Sequence, residues 1–375
     1  MRWTKILLVA ITFTTLLGCK QSIQKNQPVT GPTDSIHTVS DTITLVFAGD
    51  IMQHTAQLQA AKTDSTYDYS SYFKLIEHEL KSADMAIANL ETPMGAPPYK
   101  GYPQFSAPPE LAQTCKDAGF NLLLTANNHS VDRYGWGIER TIQILDSLRI
   151  DHLGTYLNKQ ERTEQHPHFK SIKGKTFAFL NYTYGTNGIK IPTPYVVNLI
   201  DTLQIKADLT QARVNKADVI IVCIHWGDEY HTSPNQQQKQ LAKWLIEHGA
   251  DHIIGSHPHV IQPIIQHTDS FRQTTHTIAY SLGNLISNMS QKDTDGGLLL
   301  KMKFYEYANK LQSETSYSLV WTGRPVDTGK KNFILFPSNF ALDSLNTKSR
   351  NKLILFKQRA NTVLEQNSKE INNSN

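Results

Sequence analysis

Cysteine is scarce: Cys19, Cys115 and Cys223 are the three in 375 residues. No set of thiolates is left over for a Cys-ligated metal site, so any metal here must be held by carboxylate, amide or imidazole. Long apolar runs are scarce as well. Ile6–Leu17 (ILLVAITFTTLL) is too short to span a bilayer as a helix of the mature protein. Charge of one sign is lacking too. The net charge is +4, and removing Arg2 and Lys5 with an N-terminal leader leaves +2, which excludes the basic footprint of a nucleic-acid-binding protein. No internal repeat is visible. What remains is 39% apolar and 19% charged, the composition of a globular body long enough for one large domain or two ordinary ones.

The start of the chain carries a targeting pattern. Met1–Lys5 is basic, the apolar stretch follows, and Leu16-Leu17-Gly18-Cys19 closes it. That tetrad resembles the lipobox of bacterial lipoproteins, which implies cleavage before Cys19 and acylation of its thiol. Lipid chains contribute about 0.8 kcal/mol per buried methylene, so a multiply acylated cysteine holds firmly to a lipid bilayer. Residues 1–18 are expected to be a signal peptide, and 19–41, rich in Gln, Ser, Thr and Pro, a flexible tether. An ordinary signal peptide with an incidental cysteine is the competing reading. Lys20 and Gln21 bring no Asp after the cysteine, which points to the outer membrane, facing the periplasm, in a Gram-negative cell envelope. Cys115 and Cys223 read as small buried residues; whether they pair is open at this level.

Strand and helix signals alternate through the first two-thirds. Thr42–Ala48 reads as a buried strand, Tyr69–Ala83 as a helix with Tyr72, Leu75, Ile76 and Leu80 on one face, and Met85–Ala88 as a strand. Pro109–Ala118 reads as a helix stopped by Gly119, and Asn121–Thr125 as a strand. A helix over Gly137–Leu148, a hairpin about Lys173-Gly174-Lys175, and a helix over Leu203–Lys216 follow. Asp218–Ile224 and Asp251–Ile254 read as strands around a helix over Pro234–His248. The rest is β-rich, through Ile278–Leu282, Leu298–Phe304 and Ser316–Trp321, before a charged helix over Asp343–Leu364. Leu353, Ile354, Phe356 and Val363 on that helix suit docking onto the body. Apolar strands alternating with helices predict an α/β fold with helices on both sheet faces, and the β-rich part a second sheet packed on the first. The domain is expected over 42–340, with a C-terminal helix and polar tail over 341–375.

Polar residues collect just past the carboxyl ends of the strands. They are Asp50, then Asn89 and Glu91, then Asn128 and His129, then His225, then His257 and His259 in GSHPHVIQP. In open α/β sheets that edge forms the ligand crevice. Each is ordinary alone: Gly-Asp and Asn-Asn usually make turns, and a histidine after a strand usually faces solvent. The two imidazoles about Pro258 read either as a polar loop or as paired ligands. Residues i and i+2 of an extended segment share a face, and Pro258 restricts the backbone between them. Five strands delivering carboxylate, amide or imidazole to one edge favour a metal site. A donor set without thiolate suits two divalent ions, Mn²⁺, Fe or Zn²⁺. His166-Pro167-His168 repeats the pattern without a strongly apolar strand before it and reads as surface. Tyr182–Gly188 reads as a surface turn, with a loop over the crevice as the alternative, and Trp226 as wall packing.

Taken in order, Gly49-Asp50, Asn89-Leu90-Glu91-Thr92, Ala126-Asn127-Asn128-His129, His225-Trp226-Gly227, Ser256-His257-Pro258-His259-Val260 and Tyr280-Ser281-Leu282-Gly283-Asn284 form one motif set. It resembles the CapA-type family, named for poly-γ-glutamate capsule biosynthesis and similar to calcineurin-like metallophosphoesterases. The match runs from Leu45 to Leu285. The resemblance implies a metallophosphoesterase-like sandwich of two β-sheets flanked by helices. It implies Asp50, Asn128, His225, His257 and His259 as metal ligands, Glu91 as the bridge, and His129 as general acid on the leaving oxygen. Asn89, Glu229 and Asn284 line the same edge by motif position, as substrate-binding or wall residues. In the wider superfamily the first motif is Asp-x-His. Here Met52 takes the histidine's place and Glu91 stands where Asp is usual, departures the CapA-type pattern shares; His54 is near but off register. The implied role is a membrane-anchored envelope protein with a metal-dependent phosphoesterase-like site. It would act on a phosphoester or an anionic envelope polymer in capsule or cell-envelope synthesis, beside capsule-synthesis membrane proteins. The alternatives are a non-catalytic polymer-binding assembly or export factor using the same cleft, and an amide hydrolase with the same metal pair.

Overall fold

The computed structural model of the chain describes residues 42–269, 274–307 and 310–367. The signal peptide, Cys19, the tether and the polar tail lie outside the described residues. The elements run β1 (Ile43–Ile51), α1 (Thr55–Ala61), α2 (Glu77–Lys81), β2 (Met85–Leu90), α3 (Pro109–Ala118), β3 (Leu122–Leu124), α4 (Tyr134–Leu148), β4 (Asp151–Leu153) and β5 (Thr155–Tyr156). Next come α5 (Lys159–Gln165), β6 (His168–Ile172), β7 (Lys175–Thr183), β8 (Val196–Val197), α6 (Thr202–Val214), β9 (Val219–His225), α7 (Gln236–Glu247) and β10 (His252–Ser256). The rest is β11 (Ile264–Asp269), β12 (Thr274–Ala279), β13 (Asn284–Ile286), β14 (Gly296–Tyr307), β15 (Lys310–Gly323), α8 (Pro325–Thr328), β16 (Ile334–Pro337) and α9 (Thr347–Asn367).

Two sheets result. One has the order β16-β15-β14-β1-β2-β3-β4 with β13 beside β1, and the other β11-β12-β10-β9-β7-β6. Strands β1 to β4 are mutually parallel, as are β7, β9, β10 and β12. The two-sheet α/β sandwich is present, but the sheets cover one face of each other where helices were expected on both, and the β-rich part is split, with β14–β16 in the first sheet and β11 and β12 in the second; β1 shows why its strands read as unbroken apolar runs. Ile43, Leu45 and Phe47 join a core shared with Phe177, Ile221 and Cys223 of the other sheet. Val46 and Ala48 face the other way, into a second core with Leu80, Leu111 and Cys115 from α2 and α3. On the second sheet Ile220 and Val222 meet Leu209, Ala242 and Leu245 of α6 and α7. Each such fully buried aliphatic side chain contributes about 1.5–3 kcal/mol. Cys115 and Cys223 are free, buried and in different cores.

Several expectations are corrected. Helix α2 covers only the end of Tyr69–Ala83. Upstream, Asp68 accepts from the Ser70 amide, a local turn that competes with helix. Tyr69, Tyr72 and Phe73 pack edge to edge, and Leu75 is exposed. On α9, Leu353, Phe356, Ala360 and Leu364 are buried, whereas Ile354 faces out. The largest correction is His166. It is buried, not on the surface, with its ring nitrogens 3.0 Å from the Tyr156 and Tyr182 hydroxyls. Nearby Asp208, also buried, is paired with Arg162, and a buried carboxylate needs such partners. The Lys173-Gly174 hairpin is as predicted, both residues having positive φ. Among the described residues no helix is long and apolar enough to cross a membrane.

Candidate metal centre

The parallel strands of both sheets end at a common edge, and the motif residues meet there. At the end of β1, a Cβ on Gly49 would lie 1.9 Å from the Gly283 carbonyl oxygen, so glycine is required for this close approach. The Asp50 amide then donates to that carbonyl at 3.0 Å. Asp50 is register partner to both Asn89 on β2 and Asn284 on β13. Asn89 Nδ2 donates to Asp50 Oδ1 at 2.8 Å and lies 3.3 Å from His225 Nδ1. From the second sheet, His225 on β9 pairs in register with Ser256 on β10, whose Oγ lies 2.9 Å from His225 Nδ1. That turns His225 Nε2 toward Asn128 Oδ1, 2.9 Å away. His259 Nδ1 lies 3.1 Å from Asn284 Oδ1 and 3.4 Å from Asp50 Oδ2.

Glu91 lies between these groups. Its Oε1 is 3.7 Å from His225 Nε2 and 3.8 Å from His259 Nε2, too far for hydrogen bonds. Both of its oxygens are buried and without a partner, as is His257 Nδ1. Two clusters of donor atoms share this carboxylate: Asp50, Glu91 and His225 form one, and Glu91, His257 and His259 the other. Burial, then the adjacent Asp50 carboxylate, pushes Glu91 well above the usual carboxylate range. Burial, then His257 and His259, holds His225 well below the usual imidazole range, and burial with His259 brings His257 down to about 3. Burial that disfavours an ionised acid and protonated imidazoles facing one another is an arrangement that divalent cations resolve. The residues present therefore fit a divalent metal, with Glu91 common to both donor clusters.

The backbone of GSHPH departs from the expected extended form. His257 and His259 have φ of 98° and 58°, the left-handed region, at a cost of roughly 1–3 kcal/mol each. The turn is held by the Tyr230 amide, which donates to the Pro258 carbonyl at 2.8 Å. Both rings still enter the cleft, their centroids 5.9 Å apart.

His129 belongs to the same cluster. Its Nδ1 is 2.7 Å from Asp132 Oδ2, and its ring meets Phe105 at 4.5 Å. His54 caps α1 and bonds with Gln57, and Met52 is buried. Asn89 and Asn284 are buried in the wall, with amides committed to Asp50 and to His259 and Thr294 respectively. Glu229 is partly exposed and acts electrostatically on Glu91, Tyr184 and Tyr230. Trp226 packs in the wall as expected, its indole donating to the Tyr280 carbonyl at 2.9 Å. The turn after Tyr182 is corrected. Tyr184 lies 4.6 Å from the His257 ring, and Asn187 Oδ1 accepts from Asn128 Nδ2 at 3.2 Å. Sequence reasoning also missed Asn127, Asp132 and Ser256. Asn127 Nδ2 donates to the Leu90 carbonyl while its Oδ1 accepts from the His129 amide. The His129/Asp132 spacing of three was the available signal for Asp132.

A family model described as bacterial capsule synthesis protein PGA_cap matches residues 44–289. The capsule biosynthesis protein CapA of Bacillus anthracis is 28% identical over 292 residues, covering 71% of this chain and 64% of that protein. The PGA biosynthesis protein CapA of Bacillus subtilis is 28% identical over 279 residues, covering 72% of this chain and 70% of that protein. The chain thus spans a little under two thirds of the first relative. Among solved structures, the Haemophilus influenzae NAD nucleotidase NadN aligns with TM-score 0.47 at 10% identity, over 89% of this chain and 64% of its own. The calcineurin-like phosphoesterase YfkN of Bacillus subtilis aligns with TM-score 0.41 at 10% identity, over 85% and 98%.

Proposed function

The chain belongs to the bacterial capsule synthesis family of the CapA type, and we propose that it is a metal-dependent phosphoester hydrolase acting in capsule or cell-envelope polymer synthesis. The observation that carries this reading is Glu91, a buried carboxylate with both oxygens unpartnered between His225 and His259. In this reading Asp50, Asn128, His225, His257 and His259 would hold the divalent metal, with Glu91 shared between the two donor clusters. When bound, the metal supplies Lewis-acid polarisation of a phosphoryl oxygen and a hydroxide nucleophile at neutral pH. The chain's own groups do the rest. Asp132 fixes His129 Nδ1, which leaves Nε2 to protonate the leaving oxygen. Asn89, Ser256 and Asn284 orient Asp50, His225 and His259 through the bonds described.

One observation favours a second reading, a non-catalytic assembly factor that binds polymer in this cleft: Met52, an apolar side chain buried where a ligand histidine stands in the wider superfamily. The discriminating experiment uses the full chain in detergent. Metal content is measured by elemental analysis, and hydrolysis of bis(p-nitrophenyl) phosphate is followed with added Mn²⁺. Turnover that falls roughly 10–100-fold in Asn128→Ala supports the hydrolase; bound metal with no turnover across a phosphoester panel supports the assembly factor. We further infer that acylated Cys19 ties the protein to the envelope membrane. Unchanged lipid labelling of Cys19→Ala would refute that.

A further inference from the structure

Three tyrosines stand around the mouth of the metal cleft, on three separate loops. Tyr184 follows β7, is 48% exposed, and lies 4.6 Å from the His257 ring. Tyr230 follows β9, is 40% exposed, and lies 6.2 Å from the His259 ring. Tyr102, in the loop after β2, is 72% exposed and meets Phe105, which also meets His129. Each histidine of the cleft floor thus has an exposed phenol ring above it or one ring away. Folding tends to bury such rings, so three left open beside one cleft call for an occupant.

The charges around them restrict what that occupant can be. Beside the rings, the Glu229 carboxylate acts on both Tyr184 and Tyr230. A polycarboxylate chain laid across this mouth would place like charge against like. A sugar ring is the better match. Its C–H faces pack on aromatic rings, and its hydroxyls donate to carboxylates such as Glu229, which acts on the Tyr230 phenol. We propose that Tyr184, Tyr230 and Tyr102 form a saccharide cradle, and that the natural substrate is a glycosyl phosphoester whose phosphoryl group reaches the metal centre while its sugar stacks at the mouth. This rests on the hydrolase reading for the phosphoryl half only.

The test is isothermal titration calorimetry on the full, Mn²⁺-loaded chain with four probes: inorganic phosphate, N-acetylglucosamine 1-phosphate, AMP and penta-γ-glutamate. The sugar phosphate is expected to bind roughly tenfold tighter than inorganic phosphate. The Tyr184→Ala/Tyr230→Ala variant should bring that ratio to about one, and Tyr→Phe at both positions should keep most of it, with folding checked by circular dichroism. Tighter binding of AMP or pentaglutamate than of the sugar phosphate overturns the proposal, as does a ratio that survives the double alanine change. A neutral probe, N,N′-diacetylchitobiose, separates the two claims. If phosphate and metal fail to bind, the hydrolase reading falls, while tyrosine-dependent chitobiose binding still upholds the cradle and its absence removes it.

Discussion

At the scale of single residues, Glu91 sets the energetics of the cleft. Its oxygens have no donor, and burial beside Asp50 raises its pKa well above the unfolded value near 4.5. Without metal, burial therefore favours the protonated side chain. A folded pKa above the unfolded one gives a contribution that is full below the unfolded pKa. It is lost as pH rises through the folded value. Glu91→Gln removes this titration and also the charge a metal needs. Metal-free Glu91→Gln should be more stable than the wild type at pH 8, an advantage that shrinks toward pH 5. With Mn²⁺ the order should reverse, because the variant gains little from the ion. Thermal unfolding with and without Mn²⁺ at both pH values reads both effects, and an equal metal-induced shift in the two proteins would count against Glu91 as a ligand.

At the scale of elements, β10 and the turn after it offer an internal comparison. His252 lies within the strand and His257 and His259 just beyond, yet their surroundings differ. His252 is buried, and its Nδ1 accepts from the Thr277 amide at 3.1 Å. Burial, then His276, brings its pKa down to about 3. His252→Asn, which keeps an acceptor, should retain full metal content, whereas His257→Ala and His259→Ala should each lower it; elemental analysis of the three decides. A depressed folded pKa gives stability that is present above about 6.5 and lost as pH falls toward 3. Between pH 7 and pH 5 the wild type should therefore lose about 2 kcal/mol more than His252→Asn in urea unfolding. The strand ends that place these residues were legible because β1, β9 and β10 are apolar runs broken by Gly49-Asp50, His225-Trp226-Gly227 and His257-Pro258-His259. The left-handed backbone at His257 and His259 was not, since it depends on the Tyr230 amide from another loop. His166 was misread for the same reason. Nothing near it in sequence announces Asp208, Tyr156 and Tyr182. Tyr184 and Asn187 likewise gain their place through contacts with His257 and Asn128, which no local pattern encodes.

At the scale of the whole molecule, the cleft joins the two sheets. Asp50, Glu91 and Asn128 come from the ends of β1, β2 and β3, and His225, His257 and His259 from those of β9 and β10. Direct hydrogen bonds already cross the seam, from Asn89 toward His225 and between Asn128 and His225. Ions sharing Glu91 would add bonds from both sheets to one point, so metal should act as a clip on the tertiary structure as well as a reagent. Binding to the folded state alone stabilises by about 2.7 kcal/mol at a free metal concentration 100 times Kd. Hydrogen–deuterium exchange locates where that stabilisation is felt. On chelation, amides at the ends of β1 and β2 should lose protection together with those at the ends of β9 and β10, while β16, at the far edge of the first sheet, should change little. The paired response is the specific expectation, because an ion held by one sheet would protect only that sheet. Loss confined to the His257–His259 turn would mean that the histidines bind metal without Glu91 and Asp50, and the shared carboxylate would then have to be given up.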